Sequence, residues 1–275
     1  MIRLVINADD LGLHPRIDDG IFQAAEAGVL TSATVLVTGT TAPTAVEQAK
    51  VYGLGLGVHL CLTSHLSPAA APRDVRWVAP GGRFRANWAE FSAAWLSRLR
   101  PADEVALELR AQVQRARELG VDVDHLDTHQ HLLLLPGMTA IVEKLALELN
   151  LPLRWPVAPP RLNWLAHPRS TAKTMLLNAL GAAKPAAQAR RIQSYGVHES
   201  GRLTEARLLR LIEQLPDGPA EIISHPGLNP GVIAEDPEWR YDWEAELAAL
   251  TSPKVADAIE RRGIELCTFS DLAMS

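Results

Sequence analysis

Arg3-Leu4-Val5-Ile6-Asn7-Ala8-Asp9-Asp10 is a short aliphatic run that ends on two adjacent acids. A run this brief, rich in Leu, Val and Ile, reads as a buried strand. The next segment changes period, with Ile17, Ile21, Ala24, Ala25 and Val29 near helical spacing and Gly28 as a stop. The same exchange continues to the end of the chain. Strands are expected at 33–37, 56–62, 124–127, 152–155, 221–225 and 264–269, and helices at 44–51, 101–119, 138–149, 205–214 and 253–262. In the helix over 101–119, Glu104, Glu108, Arg110 and Arg117 read as a solvated face. Aliphatic strands that alternate with helices and are covered on both faces imply an α/β fold with a mainly parallel sheet, open or closed into a barrel. We read residues 1–275 as a single domain, with excursions at about 63–88 and 157–200.

The composition is that of an ordinary globular chain. Of 275 residues, 47% are apolar and 21% charged, which excludes a disordered or collagen-like chain. The net charge of −5 gives no basic bias toward nucleic acid. Two cysteines, Cys61 and Cys267, are too few for a disulfide scaffold and read as buried thiols. No signal peptide and no spanning helix are visible, so a cytoplasmic location is expected.

The chemistry gathers at the ends of the strands. In parallel α/β folds those ends share one face, where catalytic groups lie. Asp9 and Asp10 close the first strand and His59 lies late in the third. Asp127-Thr128-His129-Gln130-His131 follows the fourth, Arg154 ends the fifth and His225 the sixth. Singly, each has an ordinary reading. Paired aspartates cap turns, a histidine between Val58 and Leu60 can be a satisfied core residue, and Arg154 can be a surface cation. Asp127, His129 and His131 alternate, which in an extended segment points all three one way, as chelation requires. Jointly, one aspartate and two histidines from different strands make a set that leaves metal positions open for water and substrate. A second aspartate is then available as a base and His225 as an acid.

At this point the motifs match a family. Asn7-Ala8-Asp9-Asp10-Leu11-Gly12, Gly57-Val58-His59-Leu60, His125-Leu126-Asp127-Thr128-His129-Gln130-His131 and Ser224-His225-Pro226-Gly227 resemble the YdjC-like carbohydrate deacetylases. The resemblance runs through nearly the whole chain. It implies a distorted (β/α) barrel related to the polysaccharide deacetylases and one divalent metal ion, Mg²⁺ with Zn²⁺ as the rival. Carried over, Asp10, His59 and His129 would bind the metal, and Asp9 would be the base. His225 would be the acid or would steady developing negative charge. Arg154-Trp155-Pro156 is similar to an Arg-x-Pro motif whose arginine orients the catalytic aspartate. Leu11 stands where the family commonly has Phe. His14 and the pair Asp18-Asp19 have no family role, and His131 is a rival to His129 as ligand.

The implied reaction is removal of an N-acetyl group from an amino sugar or glycoconjugate, with release of acetate. Two other readings are open: an amidohydrolase or phosphoesterase using His129-x-His131 at a two-metal site, and a non-catalytic sugar-binding protein. Between Glu148 and Glu199 there is no acid, but the interval carries Arg154, Arg161, Arg169, Lys173, Lys184, Arg190 and Arg191. That asymmetry reads as a solvated excursion, or as a lid facing a glycolipid or an anionic lipid surface. Trp77, Trp88, Trp239 and Trp243 are candidates for stacking on sugar rings, although packing accounts for most tryptophans. The sequence leaves a homo-oligomer open.

Overall fold

The computed structural model describes residues 1–97, 101–156, 190–231, 239 and 241–273. Seven parallel strands close into a ring: β1 (Ile2–Leu11), β2 (Ser32–Val35), β3 (Gly55–Leu60), β4 (Val123–Thr128), β5 (Leu153–Trp155), β6 (Arg191–Tyr195) and β7 (Gly218–Ser224). Each pairs with its neighbour in order, and β1 joins both β7 and β2 to complete the circle. An eighth strand, β8 (Glu265–Leu266), pairs with Arg3 and Leu4 of β1. Because β7 occupies the other edge of those residues, β8 and β2 divide a single edge of β1 between them. The expected α/β barrel is therefore present.

Helices cover the ring: α1 (Pro15–Glu26), α2 (Ala42–Val51), α3 (Trp88–Leu96), α4 (Ala102–Glu118), α5 (Met138–Leu149), α6 (Glu205–Gln214), α7 (Trp243–Leu250), α8 (Pro253–Arg261) and α9 (Phe269–Ala273). Their boundaries follow local chemistry. Proline opens α1 after His14, whose Nδ1 accepts from Arg16 N, and Asn87 caps α3 by accepting from Ala89 N and Glu90 N. Among the described residues, β6, α3, α7 and α9 are elements absent from the sequence expectation, and the strand expected over 264–269 shortens to Glu265–Leu266 because Phe269 opens α9. Only alternate residues of β6 are buried, Ile192 and Ser194, so no aliphatic run marks it.

The two-residue period of each strand sorts the core into two parts. Leu4, Ile6 and Ala8 of β1 join the large apolar cluster, which includes residues of the covering helices. Val5, Ile192, Cys267, Phe269 and Leu272 form a second, small cluster. By the same alternation Asn7 and Asp9 share the inner face with Val5, so the interior of the ring is apolar at the β8–α9 end and polar toward the strand ends.

Two expectations are corrected. Glu104 and Glu108 are not a solvated face of α4. Glu108 is fully buried and accepts from Ala69 N and Ala70 N, and Glu104 accepts from Trp77 N and Val78 N. These carboxylates pin the 63–88 excursion through its own amides, a role that helix periodicity cannot reveal. Of the basic interval, Arg161, Arg169, Lys173 and Lys184 lie outside the described residues. Arg190 is exposed, as expected, but Arg154 is fully buried and Arg191 pairs with Glu143 and lies over the Trp155 ring, so those two do not belong to a basic surface. Among the described residues, no helix is long and apolar enough to cross a membrane.

Candidate active site

The end of β1 does something a regular strand cannot. Neighbouring side chains on a strand point to opposite faces, yet Asp9 and Asp10 both enter the site. The β1–β2 register shifts between Ala8 and Leu11, and Asp10 has φ 68°. That left-handed geometry is one that Asp tolerates better than most residues. It turns Asp10 back toward the barrel mouth.

Asp10 Oδ1 lies 3.5 Å from His59 Nε2 and 3.4 Å from His129 Nδ1, and the two nitrogens are 3.1 Å apart. All three residues are buried and can hold one ion. Asp10 Oδ1 has no hydrogen-bond partner among the described residues. A buried carboxylate oxygen without a donor is costly, and a divalent cation between it and the two imidazoles would satisfy it. The donor set therefore fits a metal.

The far sides of the rings support this. His59 Nδ1 sits 2.7 Å from Asp127 Oδ1, and His129 Nε2 sits 3.0 Å from Ser64 Oγ. Each contact can hold the ring proton on the outer nitrogen, leaving the inner lone pair for a cation. Trp239 stacks on His129 with centroids 5.0 Å apart, a packing role that takes it off the list of exposed sugar platforms. Trp77 packs against Phe91 and Trp95, Trp243 is buried, and Trp88 is half exposed.

Asp9 is held on several sides. Its two oxygens receive Arg154 NH1 and NH2, each at 2.7 Å, while Oδ1 also accepts from Asn7 Nδ2 at 2.9 Å and Thr34 Oγ1 at 3.3 Å. Burial would raise the Asp9 pKa, but Arg154 and His59 outweigh it and hold the group far below the usual carboxylate range. Burial likewise opposes ionised Asp10, and His129 and His59 reverse it, lowering its pKa. For His59 burial favours the neutral form, whereas Asp127 and Asp9 push its pKa up to about 9. Asp9 Oδ2 lies 4.0 Å from His59 Nε2 and 3.8 Å from His225 Nε2.

His225 follows β7 and is fixed by Glu246 of α7. Glu246 Oε2 accepts from His225 N at 2.6 Å and lies 3.7 Å from Nδ1. Burial disfavours a charged His225, but Glu246, Asp9 and Asp10 together raise its pKa.

All six sequence candidates thus converge: Asp9, Asp10, His59, His129, Arg154 and His225. The alternating reading of Asp127, His129 and His131 does not hold. Residues His129–Leu134 form a 3₁₀ turn in which Gln130 and His131 have φ 55° and 58°. Among the described residues, His131 is in neither group of side chains placed to hold a metal, whereas Asp127 joins Asp9 and His59 in a second one, bound there by His59 and by Arg154. Sequence reasoning missed Glu221 and Glu246. A charge inside the apolar run Ala220-Glu221-Ile222-Ile223 is the one signal that points to Glu221. Nothing distinguishes Glu246 from the neighbouring Glu244.

The chain is similar to known proteins over nearly its whole length. A carbohydrate deacetylase of Brevibacillus brevis is 31% identical, covering 98% of this chain and 100% of the relative. A carbohydrate deacetylase of Mus musculus is 32% identical over 98% and 95%. A chitooligosaccharide deacetylase of Serratia marcescens is 31% identical over 98% of each. The solved structure of an Enterococcus faecalis V583 protein, named for cellobiose-phosphate cleavage, superposes with a TM-score of 0.80 at 26% identity over 99% of both chains. Residues 3–261 match the family model described as YdjC-like protein, and the chain belongs to the YdjC-like family.

Proposed function

We propose that the chain is a metal-dependent hydrolase that removes an N-acetyl group from an amino sugar or glycoconjugate, releasing acetate. The observation that carries this reading is the convergence of Asp10 Oδ1, His59 Nε2 and His129 Nδ1 beside an arginine-held Asp9 and a glutamate-held His225. The relatives named carbohydrate deacetylase support the substrate class.

Asp10, His59 and His129 would hold one divalent ion, Mg²⁺ or Zn²⁺. Such an ion supplies Lewis acidity to an amide carbonyl and acidifies a water. The remaining work falls to the protein. Arg154 keeps Asp9 ionised and fixed in direction, and Oδ1 is occupied by Asn7 and Thr34. Oδ2, which faces His59 and His225, is the oxygen that takes a proton from the attacking water. Adjacent carboxylates divide the tasks because Asp10 Oδ1 lies nearer the His59 and His129 rings, at 3.5 and 3.4 Å, whereas Asp9 Oδ2 stands 4.0 Å from His59 and is held by Arg154. Glu246 favours the protonated form of His225, which then gives its proton to the departing nitrogen. Water oxygen joins the acyl carbon, the C–N bond breaks, and acetate and a free amine leave.

The test is acetate and amine release from a panel of N-acetylated sugars, with N,N′-diacetylchitobiose included, by protein loaded with Mg²⁺ or Zn²⁺. Equal amounts of acetate and amine are expected from at least one sugar. Absence of both across the panel, with metal bound, overturns the assignment.

A further inference from the structure

Arg154 meets three buried carboxylates, although one would balance its charge. Asp9 takes the outer end of the fork, through NH1 and NH2. Asp127 Oδ2 reaches NH1 at 2.5 Å. Glu221 Oε1 takes the adjoining side edge, 2.7 Å from Nε and 2.6 Å from NH2, which it shares with Asp9. Glu221 is itself fixed, because Ser194 Oγ of β6 donates to its Oε2 at 2.6 Å. All of these groups are fully buried or nearly so.

A third buried carboxylate is expensive to desolvate, and its surplus negative charge adds nothing that the Asp9–Arg154 pair lacks. What it adds is geometric. A guanidinium held at one end can swing about its aliphatic stem, whereas a planar fork held along two edges has one orientation. We infer that Glu221 is a positioning residue: anchored by Ser194, it sets the plane of the Arg154 guanidinium and through it the aim of the Asp9 carboxylate. The inference rests on the reading of Asp9 as the base.

The test compares Glu221→Leu, Glu221→Gln and Ser194→Ala in full-length, metal-loaded protein. Leucine removes the acceptor, and the expected result is a loss of about 100-fold in kcat, the scale of a misplaced catalytic group. KM and metal content should stay unchanged. Glutamine keeps an oxygen for Nε and should restore most of the loss. A Glu221→Leu protein that binds metal and keeps kcat within about twofold overturns the inference, since a purely structural role lowers stability without lowering kcat per folded molecule. If that variant does not fold, Ser194→Ala decides, with a severalfold drop in kcat expected and an unchanged kcat overturning the claim. Crystal structures of the same variants separate this inference from the proposed function. If no sugar is deacetylated by the parent protein, an Arg154 fork that stays on both Asp9 oxygens still refutes positioning, and a displaced fork still supports it.

Discussion

Asp127 grips His59 from the side opposite Asp10: its Oδ1 lies 2.7 Å from Nδ1, while Nε2 of the same ring faces Asp10 and His129. The imidazole is thereby held in one orientation by the protein alone. Replacing Asp127 by Ala frees the ring and its tautomer, so affinity for a divalent ion should fall about 10–100-fold. Calorimetric titration of the metal-free protein with Zn²⁺ and Mg²⁺ measures this, and an unchanged affinity would detach Asp127 from the metal group.

Asp9→Asn should leave that titration intact while lowering kcat by about 10²–10⁴, the range for a lost general base. The amide oxygen still accepts one of the two Arg154 hydrogen bonds, but the group cannot take the proton. Metal binding and single-turnover acetate release, run on one preparation, distinguish this from loss of the site. Wild-type turnover with metal bound would remove Asp9 from the mechanism.

The His225 segment is clamped onto α1. A Cβ on Gly20 would lie 2.3 Å from Gly227 Cα, and Leu228 N donates to Arg16 O across the same contact. The three nearest atoms at Gly20 are all backbone of Gly227, so relief requires the loop to move. Gly20→Ala should destabilise the protein by about 1–3 kcal/mol, as overpacking usually does. Its kcat should also fall, because the displaced loop carries His225. Urea melts of the variant and wild type check the first effect.

Asp18 gives a pH dependence of definite sign. Buried between Gly12 N and Thr41 Oγ1, it is raised by desolvation from 3.8 to about 6, against the pull of those two hydrogen bonds. The folded state therefore holds this proton more tightly than the unfolded state. Its contribution to stability is full below about pH 4 and is lost as pH rises through about 6, roughly 3 kcal/mol in all. Asp18→Asn should flatten this slope. The wild-type-minus-variant difference in unfolding free energy between pH 4 and pH 7, on the order of that range, is the measurement, and a flat difference refutes it.

Both thiols should be inert in the native state. Burial pushes Cys61 up to about 12 and Cys267 up to about 11, so neither presents much thiolate near neutral pH. Ellman's reagent at pH 8 should label the folded protein slowly and the urea-unfolded protein within mixing time. Fast labelling of the folded chain would contradict the burial.

Much of this was legible in the sequence, for a physical reason. A parallel strand ends where its polar residue begins, so Asp9, His59, Arg154 and His225 could be placed on one face from periodicity alone. Other features depend on backbone departures that leave no periodic trace. The bend at Asp10 and the left-handed pair Gln130-His131 redirect side chains that an extended reading sends elsewhere. Glu104 and Glu108 looked solvated because a helix pattern counts charges without knowing which loop amides will come to meet them. Glu246 was invisible for the same reason, since its partners, His225 N and Leu203 N, arrive from other parts of the chain.

The shared edge of β1 has a consequence for biosynthesis. The strand that bears both aspartates emerges early, but Ile2 to Ala8 wait for Gly218 to Ser224, and Arg3 and Leu4 wait for Glu265 and Leu266. Contacts of such long sequence separation form slowly. A nascent chain on the ribosome can therefore pair the aspartate-bearing end of β1 with β2 early, but its other edge stays open until β7 is made, and the ring closes only late in synthesis.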